Sequence, residues 1–274
     1  MFTQLRNPAV VVAFEGWNDA AGAASAALSH VMNRYPTDLL TKIEGDEYYD
    51  YQIVRPRVVG TGRNRRTDWP QVLVHITHLA TRDLLLVSGP EPNLNWRRLV
   101  AEIVSLLRSI NPQMVVLLGA MLTDTPHSRP VPVSATCLDP DAAERLGAQP
   151  TSYEGPTGIT GVLADACHAA GVLEVSLWAS VPHYVASPPN PKATLALLSR
   201  IEDLLDIAFD LGDLPEEART WQRGVDELAG DDPDIREYIA GLEDASDNDE
   251  MPHASGEAIA AELERYLRRR NRER

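Results

Sequence analysis

Residues 9–20 read Ala9-Val10-Val11-Val12-Ala13-Phe14-Glu15-Gly16-Trp17-Asn18-Asp19-Ala20, and this stretch decides the fold. A short apolar run after Pro8, closed by a polar turn, is the pattern of a buried strand. The Ala-rich segment 20–31 that follows reads as a helix, with Asn18 or Asp19 as its N-cap. Working outward, further strands are predicted at 38–43, 72–77, 84–88, 114–118, 131–138 and 174–181. Helices are predicted at 95–110, where Leu99, Ile103, Leu106 and Leu107 share a face, at 141–146, and from the Gly155–Gly161 loop through Ala170. Asn190 caps a further helix with Pro191 at its first position, running to about Phe209. Only helical patterns follow, at 215–229, 233–243 and 256–270, with 244–250 reading as a flexible link. Residues 45–70 read as a long polar excursion. Strands alternating with helices up to 209 predict an α/β core over 1–210, with a helical extension over 211–274.

The chain has 274 residues, enough for one large domain or one domain with an appendage. Its two cysteines, Cys137 and Cys167, exclude a disulfide framework and a four-Cys zinc site. The apolar run near the N-terminus is too short for a secretory signal, and no stretch approaches the roughly 18 apolar residues of a membrane span. The expectation is a soluble cytoplasmic protein. The formal net charge of -15 is placed unevenly: residues 201–250 hold 18 acids and 3 arginines, and the rest of the chain balances. Such a segment repels nucleic acid and anionic lipid, so neither is expected as a partner. It reads as a solvated helical face plus the link. The last ten residues carry six arginines, read as docking on the acidic segment or fraying. Lys42 and Lys192 are the only lysines.

The sequence contains no P-loop, no G-x-S-x-G elbow and no H-E-x-x-H. It calls for no metal and no cofactor. Four loops expected to follow strands remain: 15–19, 119–127, 155–161 (if a strand ends near Tyr153) and 182–190. Ligands of open α/β sheets bind beyond the carboxyl ends of strands, so convergence of these loops would form a polar, aromatic-lined cleft. Its binding candidates are Trp17, Asn18, Asp19, Thr157, Gly158, Thr160, Gly161, Tyr184 and Asn190; Thr123, Asp124 and His127 share its loops. Glu15 and His183 are the acid/base candidates. The N–H groups of 157–161 are a candidate cradle for an anion such as phosphate or carboxylate. Each has a plainer role: Asn18 and Asp19 as helix caps, Gly158 and Gly161 in a tight turn, His183 as a structural donor, Trp17 and Trp178 as core.

Several blocks resemble the proteasome assembly chaperone 2 family, in particular its actinobacterial branch. They are Phe14–Ala20, Tyr49-Asp50-Tyr51 with Arg55-Pro56, Leu118-Gly119-Ala120, Thr157–Leu163, Trp178–Tyr184 and Pro188–Leu195. The resemblance covers most of 10–205. It implies a three-layer α/β/α sandwich with a mixed sheet, similar to the phosphorylase/hydrolase-like folds. It also implies a homo-oligomer, a trimer in this branch, and relatives that bind proteasome α-rings. Such relatives commonly end in a hydrophobic-Tyr-any tripeptide, whereas this chain reads Arg272-Glu273-Arg274. An ATP-grasp ligase label carried by some members needs phosphate-binding lysines, for which only Lys42 and Lys192 are available. Two functions follow as expectations. One is a non-catalytic oligomeric interaction protein. The other is a small-molecule binder or enzyme acting on an anionic substrate in the cleft.

Overall fold

The computed structural model describes residues 5–151 and 153–250, so the predicted helix at 256–270 and the arginine-rich end lie outside the described residues. In chain order the elements are β1 (Ala9–Glu15), α1 (Ala23–Arg34), β2 (Thr37–Ile43), β3 (Arg57–Val59), β4 (Arg66–Asp68), β5 (Val72–His78), β6 (Asp83–Pro90), α2 (Trp96–Ile110), β7 (Val115–Thr123), β8 (Val133–Thr136), α3 (Pro140–Leu146), α4 (Ile159–Ala169), β9 (Glu174–Pro182), α5 (Pro191–Leu205), α6 (Leu214–Gly230) and α7 (Pro233–Glu250). The main sheet has the order β2-β5-β6-β1-β7-β9-β8. β6, β1, β7 and β9 run parallel. β5 and β2 extend one edge antiparallel, and β8 closes the other antiparallel to β9.

β1 is central, which explains why every residue from Ala9 to Phe14 is buried. Ala9, Val11 and Ala13 face the layer of α1 and α5, while Val10, Val12 and Phe14 face α2 and α4. The architecture is the three-layer mixed-sheet α/β fold anticipated above, with helices following the core.

Four local expectations are corrected. The first helix starts at Ala23, because Ala20–Gly22 form a 3-10 turn with Ala21 and Gly22 at φ of 53° and 65°. The 45–70 excursion contains a small hairpin, β3–β4, separate from the main sheet. α5 ends at Leu205, where Asp206 takes φ 48°, and Ile207 and Phe209 continue non-helical but buried. The supposed link at 244–250 is helical, part of α7. Its acids are held by the core: Arg129 donates to Asp247 through Nε (2.7 Å) and Nη2 (2.8 Å), and the Ser128 hydroxyl donates to Glu243. Pairing removes the like-charge repulsion that would otherwise disfavour a helix. No helix among the described residues is long and apolar enough to cross a membrane.

Candidate functional site

Because β6, β1, β7 and β9 are parallel, their carboxyl ends share one edge, and the loops leaving them meet there. The Ala120 N–H donates to Asn18 O (2.8 Å), which binds the β1 turn to β7. Glu91, just past β6, joins three segments. Its N–H donates to Glu15 O (2.9 Å), and its Oε1 accepts from Asn18 Nδ2 (2.7 Å) and from the Ile159 N–H (3.0 Å). Ile159 opens α4, so an internal carboxylate sits at the helix N-terminus where an external anion was anticipated. The glycines of this block serve close packing. A Cβ on Gly158 would lie 2.1 Å from Asn18 Oδ1, and one on Gly161 would lie 2.1 Å from Thr157 Oγ1.

Other candidates are spent on helix termini or buried. Asp19 Oδ1 accepts from the Ala24 N–H (2.7 Å) and fixes the start of α1. Burial pushes its carboxyl above the usual range, partly offset by hydrogen bonds from Ser25 and Ala24. Asn190 Oδ1 accepts from the Ala193 N–H (3.0 Å), the cap expected from sequence. Asn18 and Thr160 are buried, and Glu15 is exposed at the end of β1.

His183 and Tyr184 lie in a different cluster, between the core and the last two helices. His183 Nδ1 is 3.2 Å from Asp124 Oδ1, and its Nε2 is 3.4 Å from the Tyr238 hydroxyl on α7. Tyr184 Oη accepts from the His127 N–H (2.8 Å) and lies 2.8 Å from His127 Nδ1. His127 Nε2 is 2.9 Å from Asp226 Oδ1 on α6. With the proton on Nε2, the ring donates to Asp226 and accepts from Tyr184. Lys192 Nζ donates to His127 O (2.5 Å) and Gln222 Oε1 (2.7 Å). Asp226–His127–Tyr184 has the order of a nucleophile relay, but burial pushes the Tyr184 phenol up to about 12. An activated nucleophile needs the opposite shift. Burial also pulls Lys192 down to about 8.

The strand-end residues border a cavity of about 780 Å³ between α4 and the β7–β9–β8 side of the sheet. Trp17, Thr157, Gly158 and Gly161 line it, whereas His183, Tyr184 and Asn190 do not. The structure therefore divides the anticipated cleft into an apolar cavity and a polar seam under the C-terminal helices. None of the described lining residues is Lys, Arg or His, which does not favour an anionic occupant.

The family model described as PAC2 family matches residues 13–229. The chain belongs to the PAC2 family. A PAC2 family protein from Streptomyces avermitilis is 48% identical at a TM-score of 0.80, over 85% of this chain and 99% of that one. A proteasome-assembly chaperone homologue from Mycobacterium tuberculosis is 44% identical at a TM-score of 0.78, over 84% and 99% of the two chains. PbaA of Pyrococcus furiosus, an archaeal homologue of proteasome-assembly chaperone, shares the fold at 16% identity and a TM-score of 0.58, over 89% and 97% of the chains. No curated protein matches the sequence.

The PAC2 match runs from β1 through α6 and stops before α7, so it contains both the cavity and most of the polar seam. Sequence reasoning missed Glu91, Glu174, Lys192 and Asp226 as parts of these sites. Glu91 had one legible signal, its place directly after a strand, in a loop of the kind that gathers at the sheet edge. Asp226 carried none and Lys192 stood out only as one of two lysines, because their pairing depends on how α6 packs against the core.

Proposed function

We propose that this chain is a non-catalytic, homo-oligomeric interaction protein that assists proteasome assembly. The observation that carries the reading is the 44% identity, over 84% of the chain, to the mycobacterial proteasome-assembly chaperone homologue. The strand-end chemistry supports it. Glu91, Asp19 and Asn190 hold helix termini, and the His127 cluster holds the last helices, so these polar groups serve the fold. Trp17, Met121, Leu122 and Tyr153, by contrast, are large, exposed and gathered at the cavity mouth. Exposed aromatic and Met side chains of this kind are typical of protein contact surfaces.

The test is co-expression of the tagged chain with the proteasome α- and β-subunits of Mycobacterium tuberculosis. The expected result is capture of α-subunits ahead of mature particles, weakened by Trp17→Ala at an unchanged melting temperature. Capture no greater than from a tag-only control overturns the reading. In solution light scattering the expected mass is that of a trimer, and a monomer overturns the oligomeric part.

A further inference from the structure

The cavity exists because small side chains face one another across it. Paired residues of adjacent strands point to the same face, so Gly119, Trp178 and Ser134 form one row across β7, β9 and β8, and Ser176 and Thr136 stand in a neighbouring row. Gly119 lets the Trp178 indole lie flat over β7, since a Cβ there would fall 2.4 Å from Trp178 Cε3. Opposite, α4 presents Gly161, Ala164 and Asp165, one face of a helix. The resulting 780 Å³ falls within the range of about 300–1,000 Å³ typical of small-molecule sites.

The lining has a definite chemistry. Trp17, Tyr153 and Trp178 provide aromatic surface, and the hydroxyls of Ser134, Thr136 and Ser176 add hydrogen-bonding groups. Glu174 and Asp165 are its charged residues, and Glu174 is 2% exposed. One Glu174 oxygen accepts from the Leu138 N–H (2.7 Å).

We propose that this cavity binds a neutral or cationic small molecule that carries an aromatic ring and N–H donors. Acceptors outnumber fixed donors on the walls, so the ligand supplies the donors. Burial raises the Glu174 carboxyl, a bound anion would strain it further, and a bound ammonium would relieve it. At low local dielectric that difference in sign decides affinity.

Three probes with one skeleton and different charge test the site: tryptamine, indole-3-ethanol and indole-3-acetate, titrated calorimetrically into the full chain at pH 7.5. Tryptamine and indole-3-ethanol are expected to bind about tenfold or more tightly than indole-3-acetate. Glu174→Gln is expected to bring tryptamine to the level of indole-3-ethanol. Thr136→Trp, on the half-buried edge strand, fills the cavity and is expected to abolish all binding at a retained melting temperature. Absence of binding by all three probes at about 5 mM overturns the proposal. So does equal or tighter binding of indole-3-acetate, or binding that survives Thr136→Trp.

Discussion

The Glu91 carboxylate shows how one side chain holds several segments in register. It accepts from the Asn18 Nδ2 and from the first N–H of α4 together, donors with no other described acceptor at that corner. Glu91→Ala leaves both donors short of a partner in a partly buried place, and a loss of about 2 kcal/mol is expected in chemical denaturation. Glu91→Gln keeps one acceptor oxygen and should lose clearly less. Two other residues make stability depend on pH. Burial raises Glu174 above its unfolded value, so its contribution is intact at low pH and falls as pH rises through the folded value. Glu174→Gln is therefore expected to gain stability relative to wild type at pH 8, with the gain shrinking toward pH 4 in calorimetric scans. Lys192 behaves in the opposite sense. Its folded value is lowered from 10.5 to about 8, so between those values the unfolded chain holds a proton that the folded chain has released. This group adds stability as pH rises through that window, and Lys192→Met should flatten the rise.

At the scale of elements, legibility followed burial. β1 and the first half of β7 were readable because a strand covered on both faces must be apolar throughout, and β9 because Val175, Leu177, Ala179 and Val181 alternate onto one buried face. The β3–β4 hairpin was not, since its residues are mostly exposed and carry no alternation that a core enforces. The start of α1 moved because Ala21 adopts a left-handed conformation that its identity does not announce. Of the cleft, Asn190 was legible as a local cap, while Glu91 and Glu174 were not, because their partners are distant in sequence. α7 is the sharpest case. Its residues 244–250 are acidic and poor in apolar groups, and their helical state rests in part on Arg129, more than a hundred positions earlier. Arg129→Ala should therefore loosen α7 selectively. A local loss of about 1 kcal/mol corresponds to roughly fivefold faster amide exchange in α7, with the sheet amides unchanged. Uniform acceleration across the chain would mean that α7 is not a separable unit.

Over the whole molecule, the end of strand–helix alternation near residue 209 and the packing of the chain point to two different boundaries. The apolar cluster on the α1/α5 face continues through Ile207 and Phe209 into Leu214 of α6. α6 also buries Ala218, Val225 and Ala229, whereas among the described residues α7 contributes Ile239 alone to the buried apolar set. The PAC2 match, which ends at 229, divides the chain at the same place. On these grounds we propose that α6 belongs to the cooperative core and that α7 is accessory. Two truncations separate this reading from a core that ends at 210. A chain ended after Gly230 should keep its melting temperature within about 3 °C, since among the described residues it gives up a single buried apolar side chain and surface ion pairs worth about 0–1 kcal/mol each. A chain ended after Asp210 uncovers the outer face of α5 and loses several buried side chains, worth about 5 kcal/mol together. It should melt at least about 10 °C lower and self-associate in light scattering. If it instead melts like the full chain, the core closes at 210 and α6 is an appendage. If ending the chain after Gly230 already costs most of what ending it after Asp210 costs, the charged seam around Arg129 and His183 outweighs the apolar packing of α6, and the order of stability derived from burial is reversed.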